Sequence, residues 1–577
     1  MKHSGRLQHC PPTHQITPSL PITYVGLDIT SRLLSLMAIP TPSTKSSAAK
    51  HLDQPGISAT PGNVASTAVN APSRLKQWWS NYGRNYTIIA AMLTFAYSAA
   101  ITTPSLFMDD YNFLFHPFDG DEMVKCFIAM GRPLTGYFLQ LCRSIITVSF
   151  GSELCHGLAL LGLVGFTICL YRLLRYRQMS TTDSILISLL FALLPASQVF
   201  VAWITAGSAT FAMALSVYAV QWIEHSKFSL RLRNSSSSWI YLSLGILSQV
   251  LSLNIYQPAA FIFCSVALLT MLIDSSEPAK ERISRGFILL SAAIASVGLY
   301  FVTGKIYLYL SGIAADHRAE FITIADIPTK LKWFAEVQLY ETLSLWSHTP
   351  IHPLVIATIV FIVIGIVAEL IHQMYRRDFS WLDQAQLVIL SLGIVLFSNF
   401  LSLVVKQNWA SLRSSTGLAA SILVLALLAV VGISKWLPRS LSIAGRRALL
   451  VGCLVWGVAS TQTNMTNRMV LPQSFELQYM ASKLPPAKVD AIRRIHVIEP
   501  EWYEGVTRDV RYDEFGLPSS YVVAKPMVKL ILHQRKVDYR QYEITSEKAA
   551  VPVPEGEDVL VVDMRELATT RVEHVWR

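Results

Sequence analysis

The sequence predicts a mainly α, polytopic helical membrane protein carrying a small C-terminal extracytoplasmic α/β domain. Three observations carry that prediction. About 11 apolar stretches of roughly 17–25 residues recur along the chain, each enough to cross about 30 Å of hydrocarbon. Hydrophobic residues make up 52% of the 577 and charged residues only 15%, with mean hydropathy +0.41, too apolar for a soluble chain of this length. Finally, the loops alternate in basic charge, as the orientation of membrane spans demands.

Residues 1–78 are rich in Ser, Thr, Pro and Ala, and Ile22–Pro40 is broken by Asp28 and Arg32, so no signal-peptide core is present. They read as a disordered cytoplasmic extension or an overlong start, with Met37 or Met92 as alternative starts. Residues 79–474 form the membrane domain. Its predicted spans are 86–103, 154–172, 184–203, 208–224, 239–256, 259–274, 286–310, 351–372, 384–404, 416–434 and 448–464.

Basic clusters such as Arg172, Arg175 and Arg177, then Lys280, Arg282 and Arg285, then Lys435, Arg439, Arg446 and Arg447, mark the cytoplasmic side. The same pattern explains the net charge of +10 without nucleic acid, because the basic residues sit in short clusters between apolar runs. The opposite side has tight turns at 204–207 and 257–258 and three longer loops, 104–153, 311–350 and 405–415. Seven cysteines show no CxxC pair or metal spacing and read as small core residues. Residues 475–577 are more charged, with strand-like runs at 495–498, 521–524 and 559–562 and a helix near 526–533, which predicts an α/β domain on the outer side.

The first outer loop opens on two adjacent acids, Asp109 and Asp110, in TTPSLFMDDY. Paired carboxylates where a span meets water are costly to desolvate and point to function. Within the same loop, Glu122–Arg143 is amphipathic, interrupted by Gly131, Arg132 and Pro133, and reads as a helix lying at the membrane surface. The second outer loop carries Asp316, His317, Arg318, Lys330 and Lys332; the third carries Lys406 and Arg413. Outer acids opposed by outer cations suit transfer of a group from a phosphate-bearing lipid to a hydroxyl. A carboxylate accepts the hydroxyl proton, and cations stabilise charge on the departing phosphate. Arg132, Arg318, Lys305, Lys406 and Arg413 are the candidate cations, the arginines favoured for their planar fork.

DDYNF at 109–113, GRPL at 131–134, the Tyr256–Gln257 pair at a span end and Arg413 opening a later span together resemble the type II serotype-converting glucosyltransferases of bacterial O-antigen modification. The resemblance covers about residues 85–465. It implies a GT-C type integral membrane glycosyltransferase of the bacterial inner membrane, its N-terminus cytoplasmic and its C-terminal domain periplasmic. Such an enzyme takes glucose from undecaprenyl phosphate glucose and places it on an O-antigen polysaccharide at the periplasmic face. By match, Asp109 or Asp110 is the essential acid, Arg132 belongs to the same site, and Tyr256, Gln257 and Arg413 follow. The long N-terminal extension and C-terminal domain depart from the simplest family pattern and leave acceptor and sugar open.

Each assignment has a plainer competitor. Asp favours helix starts, so the acid pair could cap the helix beginning near Tyr111. Arg132 and Lys305 could anchor at lipid headgroups, and Arg318, Lys330 and Lys332 could be solvated loop charges. Tyr256 and Gln257 could be an interfacial aromatic and a turn residue. No metal site is evident, with Mg or Mn held by the Asp pair as the open alternative. A transporter or flippase of lipid-linked sugars is the competing function class, but it calls for ionisable groups at mid-membrane and paired repeats. An envelope assembly protein leaves the acids unexplained.

Overall fold

The computed structural model describes residues 83–115, 120–146, 150–226, 236–273, 277–314, 320–347, 351–375, 380–489, 491–500, 518–548, 556–565 and 567. The predicted N-terminal extension lies outside them. The rest is mainly helical. In chain order the helices are α1 (Arg84–Ala96), α2 (Ser98–Thr102), α3 (Asp109–Phe115), α4 (Gly120–Ala129), α5 (Pro133–Ile146), α6 (Gly151–Tyr176), α7 (Thr181–Ala192), α8 (Pro195–Ala202), α9 (Ala209–Ser226) and α10 (Ser236–Ile255). They continue with α11 (Gln257–Ala260), α12 (Ile262–Leu272), α13 (Ala279–Ser311), α14 (Ile327–Trp333), α15 (His352–Met374), α16 (Trp381–Phe397), α17 (Phe400–Val404), α18 (Thr416–Ser434), α19 (Arg439–Thr463), α20 (Leu471–Lys483) and α21 (Ser520–Gln534).

Seven helical segments among the described residues are long and apolar enough to cross a membrane, those built on α6, α9, α10, α13, α15, α18 and α19. The other predicted spans fall on shorter or broken helices. The stretch 184–203 is the pair α7 and α8, bent by 61°. Pro195 explains the bend, because it offers no N–H to continue the ladder and is at home in a first turn. The carbonyl of Leu193 freed by the break accepts a hydrogen bond from Gln198 Nε2 at 2.9 Å, and Asn464 Nδ2 donates to Gln198 Oε1 at 3.1 Å. Polar side chains thus take up the backbone group that the broken ladder leaves. Similarly, 384–404 breaks between α16 and α17, where Asn399 and Gln338 of the second outer loop exchange amide hydrogen bonds of 2.8 and 3.1 Å.

Ion pairs gather the basic clusters at one end of the bundle. Arg177 lies 3.4 Å from Glu224 and 3.2 Å from Glu277, and Arg285 reaches both acids. Asp183 is paired with Arg446 at 2.8 Å and Arg447 at 3.5 Å, and Lys435 with Glu369 at 2.5 Å. Helix ends that the charge alternation assigns to one side therefore meet. Outward faces of α13, α15 and α16 expose apolar side chains such as Ile294, Val363 and Ile389, the last 69% exposed, as a lipid-facing surface does.

At the opposite end, the amphipathic stretch of the first outer loop is a hairpin of α4 and α5 rather than one surface helix. Gly131, at φ +73°, makes the turn in the left-handed region. The helix α19 runs on through a π turn at Asn464–Val470 into α20. Beyond it, β1 (Arg494–Glu499), β2 (Glu543–Lys548) and β3 (Val559–Asp563) form a parallel sheet of order β2-β1-β3, with α21 crossing over between β1 and β2.

The strand-like runs at 495–498 and 559–562 are strands, but 521–524 is not. It is the start of α21, despite Val522 and Val523. The buried Glu476 carboxylate accepts from the backbone N–H groups of Ser519 and Ser520 at 2.9 and 2.7 Å, capping a helix there. The partly exposed, polar β2 carries too little apolar alternation to stand out in the sequence. One apolar core runs without a break from this domain, through Met527 and Ile531, to Leu106, Tyr111, Phe127 and Leu139 of the first outer loop.

Candidate functional site

The two acids of the doublet occupy the first turn of α3 but face different surroundings. Asp110 is fully buried. Its Oδ1 accepts from the Thr205 backbone N–H at 2.7 Å and hydroxyl at 2.6 Å, and its Oδ2 from the N–H groups of Phe107 at 3.1 Å and Ile204 at 3.3 Å. Burial pushes its carboxyl up to about 7, against the pull of those four donors toward the ionised form. Asp109 is only half-buried. Asp110, the second residue of α3, thus binds the chain just ahead of the helix and the turn at 204–205, and Asp109 is the more accessible acid.

The turn that grips Asp110 lies directly after the bent α8, and the same element positions both arginines. Phe200 of α8 packs edge-on against Tyr256, ring centroids 5.6 Å apart, and the Arg132 guanidinium lies 4.3 Å over the Tyr256 ring. Trp203, the next residue beyond α8, carries the Arg413 guanidinium 4.1 Å from its ring centroid and meets Phe107 edge-on at 5.0 Å. The electron-rich ring faces hold both cations in place. His156 of α6 adds a tie, its Nδ1 2.7 Å from the Val201 carbonyl and its Nε2 3.1 Å from that of Ser105.

Arg132 is fixed further by a polar triad. Its Nε donates to Gln257 Oε1 at 2.8 Å, while Gln257 Nε2 donates to the Gly131 carbonyl at 2.8 Å and meets the Tyr300 hydroxyl at 2.6 Å. Among the described residues neither terminal nitrogen of Arg132 has a hydrogen-bond or ion-pair partner. A planar, oriented guanidinium with two unspent nitrogens is suited to an anion such as phosphate. Tyr256 and Gln257 are both buried, at the break between α10 and α11. They form the platform beneath Arg132.

The other cations fare differently. Lys305 is exposed on α13, with no hydrogen-bond or ion-pair partner among the described residues. Lys406 pairs with Glu320 at 3.6 Å with both side chains exposed. Arg318 lies outside the described residues. Lys330 and Lys332, read alike as solvated charges, part company. Lys332 is exposed near Glu336, whereas Lys330 is buried, donating to the Gln407 carbonyl at 3.0 Å and Asn408 Oδ1 at 2.8 Å. It clamps the second outer loop to the third, beside the short pairing of Phe321 with Val405.

Sequence reasoning missed Trp203, Thr205 and Tyr300. An uncharged turn of three residues gave no signal that its backbone would hold the buried acid. No group of three or more His, Cys, Asp or Glu among the described residues could hold a metal ion. No protein-family model matches the chain, and comparison with curated proteins finds no match.

Proposed function

We propose that the protein is a membrane glycosyltransferase of the GT-C kind. It moves a hexose, glucose by the resemblance, from a polyprenyl-phosphate donor to a surface polysaccharide at the outer face of the inner membrane. The bent and interrupted segments count as spans in this reading, which brings the total to about eleven. The basic end of the bundle then faces the cytoplasm and the C-terminal domain the periplasm. Asp109 is the base for the acceptor hydroxyl, Asp110 orients the turn that bears it, and Arg132 and Arg413 receive the donor phosphate.

The observation that carries the reading is the convergence on one short element, α8 and the turn after it. That element holds Asp110 through Thr205, Arg413 through Trp203, and Arg132 through Phe200 and Tyr256. An acid and two oriented arginines held by one scaffold suit in-line displacement at a sugar phosphate, where charge develops on the leaving group. Asp109→Asn tests it in the source organism. The surface polysaccharide should lose the mass of one hexose per modified repeat, with normal membrane levels of the variant. An unchanged polysaccharide would refute the assignment.

A further inference from the structure

A cleft of about 340 Å³ opens along the seam between the first outer loop and the C-terminal domain. One wall is Pro104–Leu106, which leads within three residues, no more than about 11 Å of chain, to Asp109. A second wall is the start of α6 with Ser152 and Glu153, and the third comes from α20 and α21, including His533 and Gln534. The seam is a built one. The Met108 N–H donates to Ser519 Oγ at 3.1 Å, Ser519 Oγ donates to Gln473 Oε1 at 2.9 Å, and the shared apolar core lies beneath.

The lining chemistry selects among ligands. Among the described residues no Lys or Arg lines the cleft, so this lining does not suit a phosphate or another anion. Hydrogen-bonding side chains are too many for a lipid tail. What remains is a set of donors and acceptors for hydroxyl groups. Ser152 Oγ donates to Glu153 Oε2 at 2.7 Å, and the other carboxylate oxygen has no hydrogen-bond partner among the described residues. The His533 ring and Gln534 amide lie exposed at the rim, likewise without a side-chain hydrogen-bond partner among the described residues. Phe150 completes the rim, 74% exposed and held at φ +68°, a conformation costly for a bulky side chain. Its ring offers a flat apolar surface to the C–H face of a sugar.

We infer that this cleft binds a neutral oligosaccharide, and that the C-terminal domain is present to complete that site. The saccharide's identity as the acceptor rests on the transferase reading, since the Pro104–Leu106 wall would carry its end toward Asp109. Binding itself is measurable without any turnover.

The test is titration of the full-length protein in detergent with repeat-unit oligosaccharides released from the source organism's own surface polysaccharide, followed by calorimetry. Glu153→Gln and the double variant His533→Ala, Gln534→Ala should each weaken binding by about tenfold or more relative to the wild type. Their thermal midpoints should stay at the wild-type value, because Glu153→Gln keeps the shape of the half-buried wall group and its acceptor oxygen for Ser152, while His533 and Gln534 are exposed at the rim. Binding unchanged in both cleft variants, or absent in the wild type at millimolar saccharide, overturns the inference. Failure of the transferase reading is a separate result. Asp109→Asn would then still modify polysaccharide while the cleft variants lose saccharide.

Discussion

Thr205 gives Asp110 two donors, its backbone N–H at 2.7 Å and its hydroxyl at 2.6 Å, both on the same carboxylate oxygen. Asp110 is thereby committed to holding the outer loop against the turn after α8. A carboxylate ringed by four donors has no lone pair aimed outward for a second task. The doublet divides into an anchoring acid and an accessible one, although the two are adjacent in sequence.

Asparagine at the two positions should therefore fail in different ways. Asp110→Asn turns one acceptor oxygen into a donor amide facing N–H groups in a buried site, a loss of about 3 kcal/mol or more. The variant should melt earlier and accumulate poorly. Asp109→Asn should melt like the wild type and lose hexose transfer. Equal thermal midpoints for the two variants would contradict the division of roles.

Stability should also depend on pH through Asp110. Its carboxyl sits near 7 when folded, against an ordinary 3.8, so between those values the folded state binds more protons than the unfolded one. The stabilisation is fully present below about 4 and is lost as pH rises to about 7. Thr205→Val removes one of the bonds that favour the carboxylate and should push the upper end of that window higher. Thermal midpoints across pH 4 to 8 would read both effects, and a flat wild-type profile would sink the claim.

Arg132 should tolerate neither lysine nor alanine. Lysine keeps the charge but cannot give Nε to Gln257 while lying flat over Tyr256. Arg132→Lys is expected to raise the donor KM about tenfold, and Arg132→Ala to cut kcat/KM about a hundredfold, the cost of losing an oriented cation at a developing charge. Kinetics with a synthetic polyprenyl-phosphate hexose separate the two. Gly131→Ala should act through the same triad, because a Cβ there would collide with the Tyr300 hydroxyl at a backbone φ of +73°. A raised donor KM with little change in kcat is the expected result.

The parts legible in the sequence were those set by periodicity and charge. Basic clusters at Arg177, Arg285 and Arg446 do gather at one end, where Arg177 and Arg285 share Glu224 and Arg446 pairs with Asp183. Asp109, Asp110, Arg132 and Arg413 stood out as charged groups where apolar segments end, and the family resemblance alone added Tyr256 and Gln257. The partnership of Asp110 with Thr205 did not, since it is made largely by backbone N–H groups that every residue carries. Nor did the helix at 521–524, where Glu476, more than forty residues upstream, overrides β-branched propensity by capping. Long-range polar contacts of that kind leave no local pattern.

Lys330 supplies the last prediction, one that periodicity could not have suggested. It is 4% exposed, lies 4.5 Å over the Trp333 ring, and no acid among the described residues pairs with it. Burial brings its amine down to about 8 from the usual 10.5, because the ammonium is held only by a carbonyl, an amide oxygen and a ring face. Between those values the unfolded chain binds more protons than the folded one, so stability should rise with pH across the window. Lys330→Met lacks the titration while keeping the stem. The melting difference between wild type and variant should move in the wild type's favour as pH climbs from 8 to about 10.5, and a constant difference would show that the amine is charged and solvated after all.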